Sequence, residues 1–164
     1  MKNKLITISI IVGCIVGLIY ISFPSSSWSG ATNKEVSFTI KDNSTDKPVD
    51  GALVLFLRDS DKRNLEHLNE IQRKQTIDSY IADMYGAGIT NENGFTKFKK
   101  MFSSGGSGGF LGMKGRLRFE GEISVIKEGF DKLSILAQNI TGEKRHSLDH
   151  DNFNFTLYID PIER

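Results

Sequence analysis

From about residue 35 onward, apolar positions mostly alternate with polar ones, which is the period of strands that bury one face. In "EVSFTIKD", Val36, Phe38 and Ile40 alternate with Ser37, Thr39 and Lys41. Leu117 and Phe119, then Ile123 and Val125, then Leu133, Ile135 and Ala137 continue the pattern, and "NFNFTLYID" ends it with Phe153, Phe155, Leu157 and Ile159 facing inward. "ALVLFLR" differs. Ala52, Val54 and Phe56 lie on one face and Leu53, Leu55 and Leu57 on the other, so both faces need cover. The turn "NENG" lies between two short extended runs, with Gly94 able to take positive φ, and predicts a hairpin. Seven or eight short strands joined by turns predict a mainly β, antiparallel sandwich.

One segment breaks the strand period. Residues 61–84 carry helical spacing, with Leu65, Leu68 and Ile71 on one stripe and Ile77, Tyr80, Ile81 and Met84 on a rotated one. A break near Lys74 to Thr76 would turn both stripes toward the outer leucines of the second strand. The expectation is a helical insertion in two pieces, packed on that strand.

The N-terminus has another character. Leu5 to Phe23 contains no charge, and at about 1.5 Å per residue its 19 positions span roughly 28 Å, close to a bilayer's hydrocarbon thickness. Residues 1–23 therefore read as a signal-anchor, a single N-terminal transmembrane helix. Cleavage near Ala31, giving a secreted or periplasmic form, and a lipid on Cys14 of "IVGC" are the alternatives. Lys2 and Lys4 precede the span and no Lys or Arg follows until Lys34, which puts the body outside the cytoplasm, in a bacterial periplasm on the inner membrane. Cys14 is the only cysteine and lies within the span, so the body has no disulfide. Residues 24–33 read as a polar linker and 34–160 as the folded domain.

Charge adds an exclusion. Without Lys2 and Lys4 the 21 basic residues become 19 against 20 acidic ones, a balance that attracts no nucleic acid.

The order of short motifs "VSFTIKD", "TDKPVDGA", "LVLFL", "TNENGFTKF", "GEISVIKEGF" and "FNFTLYI" resembles the carboxypeptidase regulatory-like domain, a transthyretin-like (prealbumin-like) β-sandwich, over Glu35 to Ile159. The resemblance implies the fold and an accessory or interaction role. Relatives with chemistry are tested by their residues. The transthyretin-like hydroxyisourate hydrolases end in "YRGS", and this chain ends in "DPIER". Intradiol dioxygenases hold iron with two Tyr and two His spaced by one residue, whereas His146 and His150 have three residues between them. Collagen-adhesin B-type domains form a Lys to Asn isopeptide bond, but Lys41 and Asn154 point away from the core face by alternation.

The glycine-rich run "SSGGSGGFLGMKG", residues 103–115, is no phosphate cradle. It lacks both G-x-x-x-x-G-K-[ST] and G-x-G-x-x-G, and a strand-like segment follows it where a helix is needed. It reads as a long loop whose Phe110, Leu111 and Met113 either tuck onto the sandwich edge or form a partner-binding tip. "RHSLDHD", Arg145 to Asp151, gathers two imidazoles and two carboxylates in a polar turn, and Glu120 and Glu122 form a solvent-facing pair. No catalytic, cofactor-binding or metal-binding residue is assigned.

These observations point to a non-catalytic, membrane-tethered periplasmic binding or assembly module with an envelope protein as partner. The alternatives are a periplasmic immunity or inhibitor protein, and a metal-dependent or hydrolytic enzyme that uses the 145–151 loop.

Overall fold

The computed structural model describes residues 26–109, 112–141, 145–147 and 152–162. The expected anchor over 1–23, with Cys14, lies outside them. Among the described residues no helix is long and apolar enough to cross a membrane.

The described residues are mainly β, with two sheets and three short helices. In order, the elements are β1 (Ser26–Asp42), β2 (Leu53–Leu57), α1 (Asp59–Glu66), α2 (Glu70–Ala82), β3 (Ala87–Ile89), β4 (Phe95–Gly109), β5 (Gly112–Arg118), β6 (Glu122–Ile126), β7 (Leu133–Leu136), α3 (Ala137–Thr141), β8 (Arg145–Ser147) and β9 (Asn152–Ile159). One sheet runs β8-β5-β4-β1-β9 and the other β3-β2-β6-β7. All pairings between these strands are antiparallel except β1 with β9.

The expected alternation produces the core. Val36, Phe38 and Ile40 of β1 meet Val54 and Phe56 of β2, Ile123 and Val125 of β6, and Phe153, Leu157 and Ile159 of β9, all buried. Phenylalanine dominates the middle: Phe119 packs at ring-centroid distances of 4.8 Å from Phe153, 5.1 Å from Phe102 and 5.3 Å from Phe56. Tilted and offset ring pairs of this kind add to the gain from burial.

The two-faced strand is covered as expected. Leu55 and Leu57 are buried with Leu65 and Ala87, and Leu53, Leu68, Ile77, Tyr80 and Ile81 pack against them. The helical break lies elsewhere than predicted, at His67 to Asn69. Asn69 caps α2 by accepting from Gln72 N at 2.9 Å, while the Gln72 side chain accepts from Asn69 N at 3.2 Å. This reciprocal cap fixes a helix start more firmly than periodicity can. It also rotates Ile71 out to solvent, 71% exposed, and Met84 is half exposed.

Three further expectations change. Ser26 to Asn33, read as linker, form the first half of β1 and pair with Gly108 to Met101 of β4. Residues 103–115 are not a loop over their described part, because Ser104 to Gly109 of β4 pair with Leu117 to Gly112 of β5. The glycine-rich strand is held extended by neighbours on both sides, a support that its own composition does not signal. Finally, "NENG" is a tight turn but not a hairpin, since β3 belongs to one sheet and β4 to the other.

Gly94 does have positive φ, 69°, and its N–H donates to Asn91 O at 2.7 Å. Its carbonyl accepts from Ile40 N at 2.8 Å, which ties the turn to β1. A Cβ on Gly94 would press on Ile40 O and lie 3.1 Å from Val49 N. Gly94→Ala is expected to destabilise the domain by at least about 1 kcal/mol, through the left-handed backbone and the contact together. Chemical denaturation of the two proteins side by side checks this; equal midpoints would refute it.

Candidate functional site

One concavity follows from the Ser/Gly composition of β4. After Phe102 the strand carries only Ser103, Ser104, Gly105, Gly106, Ser107, Gly108 and Gly109. Large side chains are therefore missing where β1, β4 and β5 run together. A cleft of ≈ 910 Å³ opens there, lined by Trp28, Ser29 and Gly30 of β1, Ser103 to Ser107 of β4, and Arg116 and Arg118 of β5. Gly105 lets β1 and β4 approach, because a Cβ there would come within 3.1 Å of Trp28 O. Ser103, Ser107, Arg116 and Arg118 are exposed, while Ser104 and Leu117 of opposite parity are buried.

A smaller cleft of ≈ 170 Å³ is lined by Arg58, Asp59, Ser60, Met101, Phe102, Ser103, Arg118, Glu120 and Gly121. Ser103 and Arg118 line both. Among the described residues, the larger cleft is lined by two arginines and no acidic side chain, whereas the smaller adds Asp59 and Glu120. Arg118 lies 3.9 Å from Glu120, with both side chains more than half exposed. The Arg58 guanidinium is committed to Asp61, donating from Nε and from Nη2 at 3.1 Å each.

A second charged group lies beneath. Lys100 is 2% exposed, its Nζ is 3.3 Å from Asp61 Oδ2, and it stands 5.4 Å from the centroid of the Phe56 ring. Burial pushes its ammonium below the usual lysine range, against the opposing pull of Asp61. Burial also pushes up the Tyr80 phenol close by, helped by the charge of Asp61. With so little exposure, Lys100 joins the helical insertion to the sheet and does not meet a ligand.

The sequence-level site residues scatter. Phe110 and Leu111 lie outside the described residues, and the backbone of Met113 pairs with Gly108 within β5. Arg145 to Ser147, expected in a polar turn, form β8 against Arg118 to Arg116, and residues 148–151 lie outside the described residues. Glu120 and Glu122 part: Glu120 lines the smaller cleft, while Glu122 accepts from Lys62 at 2.7 Å and from Ser134 and Ser124. Lys62 first, then Ser134, hold the Glu122 carboxyl below its usual range. Lys41 pairs with Asp46 and Asn154 bonds Ser37, so neither is placed for an isopeptide bond. Arg116, Arg118 and Trp28 were not assigned from sequence. The available signal was "RLR", two arginines on one face of a strand, next to a run without large side chains.

No protein-family model and no curated sequence matches this chain. Its structure is similar to a 3-chlorocatechol 1,2-dioxygenase from Rhodococcus opacus 1CP, with TM-score 0.42, 11% identity, and 91% of this chain and 77% of that one covered. It is also similar to an intradiol ring-cleavage dioxygenase from Tetranychus urticae, with TM-score 0.39, 16% identity and coverage of 80% and 82%. At these scores the likeness assigns no reaction, substrate or metal to this chain. Both similar proteins are nevertheless enzymes. The expectation of a non-catalytic, protein-binding or assembly module, with no enzymatic activity, is corrected on that finding and is not carried further.

The described residues do not gather a dioxygenase iron site. Among the described residues no three His, Cys, Asp or Glu side chains gather to hold a metal. The described tyrosines do not supply the site either. Tyr80 and Tyr85 lie near Arg58, and Tyr158 is on β9 and 45% exposed, so the three are not gathered with a pair of described histidines.

Proposed function

We propose that this chain binds a small anionic molecule in the cleft along β1, β4 and β5, and acts on it there as an enzyme. The observation that carries the reading is the pair Arg116 and Arg118, which face a cleft whose described lining holds no acidic residue, across a strand without large side chains. Guanidinium groups recognise carboxylate and phosphate by paired hydrogen bonds, and the serine hydroxyls add neutral donors and acceptors. A concave site with a few convergent polar groups suits a small molecule. Asp59 and Glu120, in the adjoining smaller cleft, are the lining groups able to take or give a proton. The enzymatic alternative thus moves from residues 145–151 to this cleft.

Trp28, the only tryptophan, lines the cleft and provides the test. Titration of the full-length protein in neutral detergent with valerate, and separately with inorganic phosphate, is expected to change its emission saturably. Replacing Arg116 and Arg118 together by Gln should weaken binding at least about tenfold, the order expected when charge-assisted hydrogen bonds are lost, with the melting temperature unmoved. Emission that does not respond, or responds equally in the double variant, would overturn the reading.

Two further proposals rest on the sequence. The motif order from Glu35 to Ile159 supports kinship with the carboxypeptidase regulatory-like domains, in a transthyretin-like sandwich. The uncharged run Leu5 to Phe23, with positive charge only before it, supports a single N-terminal anchor in a bacterial inner membrane and a body in the periplasm. Full-length protein should sediment with membranes and resist carbonate extraction. A soluble periplasmic form beginning at Thr32 would refute the anchor.

A further inference from the structure

We infer that the ligand of this cleft is zwitterionic, with a cationic donor group a few bonds from its anionic one. The inference rests on the anion-site reading above and names the ligand's chemistry more closely. The larger cleft is positive through Arg116 and Arg118, and the smaller one adds two carboxylates, Asp59 and Glu120. The Arg58 guanidinium donates its hydrogen bonds to Asp61, not to these carboxylates. Ser103 and Arg118 line both clefts, so the two adjoin, with arginines along the larger and carboxylates added in the smaller.

Where they adjoin is the pair Arg118 and Glu120, 3.9 Å apart with side chains 56% and 55% exposed. An ion pair this open to water is weakly held and readily exchanged for other partners. A plain anion that took Arg118 would also face the Glu120 carboxylate, and like charges oppose one another at such range. A zwitterion satisfies both. Its anionic group takes the arginines, and its ammonium takes Glu120 and Asp59, so neither member of the opened pair is left without a counter-charge.

The probes are the ω-amino acids of three to eight carbons, each compared at pH 7 with the unsubstituted monocarboxylate of the same length. Binding is read from Trp28 emission of the full-length protein in neutral detergent. At least one ω-amino acid is expected to bind fivefold or more tightly than its monocarboxylate, and that advantage should vanish in the Asp59→Asn, Glu120→Gln double variant. If monocarboxylates bind but no ω-amino acid gains over its partner, the zwitterion inference is overturned while the anion site stands. An advantage that persists in the double variant overturns it too, because the carboxylates would not be its source. If neither series binds, the zwitterion inference fails, and if inorganic phosphate is without effect as well the anion site fails with it.

Discussion

Replacing Leu55 with aspartate is expected to unfold the domain. Leu55 is 5% exposed on the outer face of β2 and packs among Leu57, Leu65 and Ala87 under α1 and α2. The change forfeits about 1.5–3 kcal/mol of leucine burial. It also places a carboxylate in an apolar layer, where a charge without a partner costs more than the leucine was worth. Together these approach the whole stability of a domain of this size, about 5–15 kcal/mol. Loss of the cooperative thermal transition by circular dichroism is the expected readout. Leu55→Met, which nearly conserves volume, should cost less than about 1.5 kcal/mol. An aspartate variant that melts like the parent would show that the helices leave this face in water.

Asp61→Ala should be nearly as damaging, by about 3–5 kcal/mol, because it leaves Lys100 charged and buried with the Phe56 ring as its remaining neighbour of note. It also releases Arg58, whose guanidinium and backbone N–H both donate to Asp61. Adding Lys100→Met should restore part of the loss, since the uncompensated charge goes with it. If the double variant is no more stable than Asp61→Ala alone, the buried ammonium is not the source of the cost.

The two members of this pair respond to pH with opposite signs. Burial raises the Asp61 carboxyl, but the hydrogen bond from Arg58 and the charges of Lys100 and Arg58 outweigh it and hold the group below its ordinary 3.8. Its contribution to stability is therefore present above pH 3.8 and is lost as pH falls through the depressed value. Lys100 is shifted down from 10.5 by burial, only partly offset by Asp61. Between its folded value and 10.5 the unfolded chain binds more protons, so stability rises with pH across that window. The shifts differ in kind because Asp61 has two cations while Lys100, more deeply buried, shares one carboxylate. Lys100→Met should flatten the alkaline limb of the stability profile.

Much of the architecture was legible in short stretches of the chain. Alternation in "VSFTIK", "EISVI" and "NFNFTLY" marked strands because a pleated strand sends successive side chains to opposite faces. The doubled leucines of β2 announced a second layer before the helices were located. Gly94 marked its turn through a backbone angle that side chains disfavour. Each of these signals is local, carried by side-chain period or by the conformational limits of one residue.

The candidate cleft has no such signal. Ser103 to Gly109 alternate nothing, and their extended form depends on β1 and β5, partners distant in sequence that supply the ladder hydrogen bonds. The same pairing drew Ser26 to Asn33 out of a nominal linker and into β1. It also set Arg116 and Arg118 beside a strand with no bulk to fill the space between them, with Trp28 at the border. The sequence alone determined which segments could be strands or helices and which faces had to be buried, because those follow from side-chain chemistry at fixed periods. The tertiary structure decided the pairing of the glycine-rich strand, the position of the helical break and the meeting of arginines with carboxylates, because register and cross-strand neighbours depend on contacts between residues far apart in the chain.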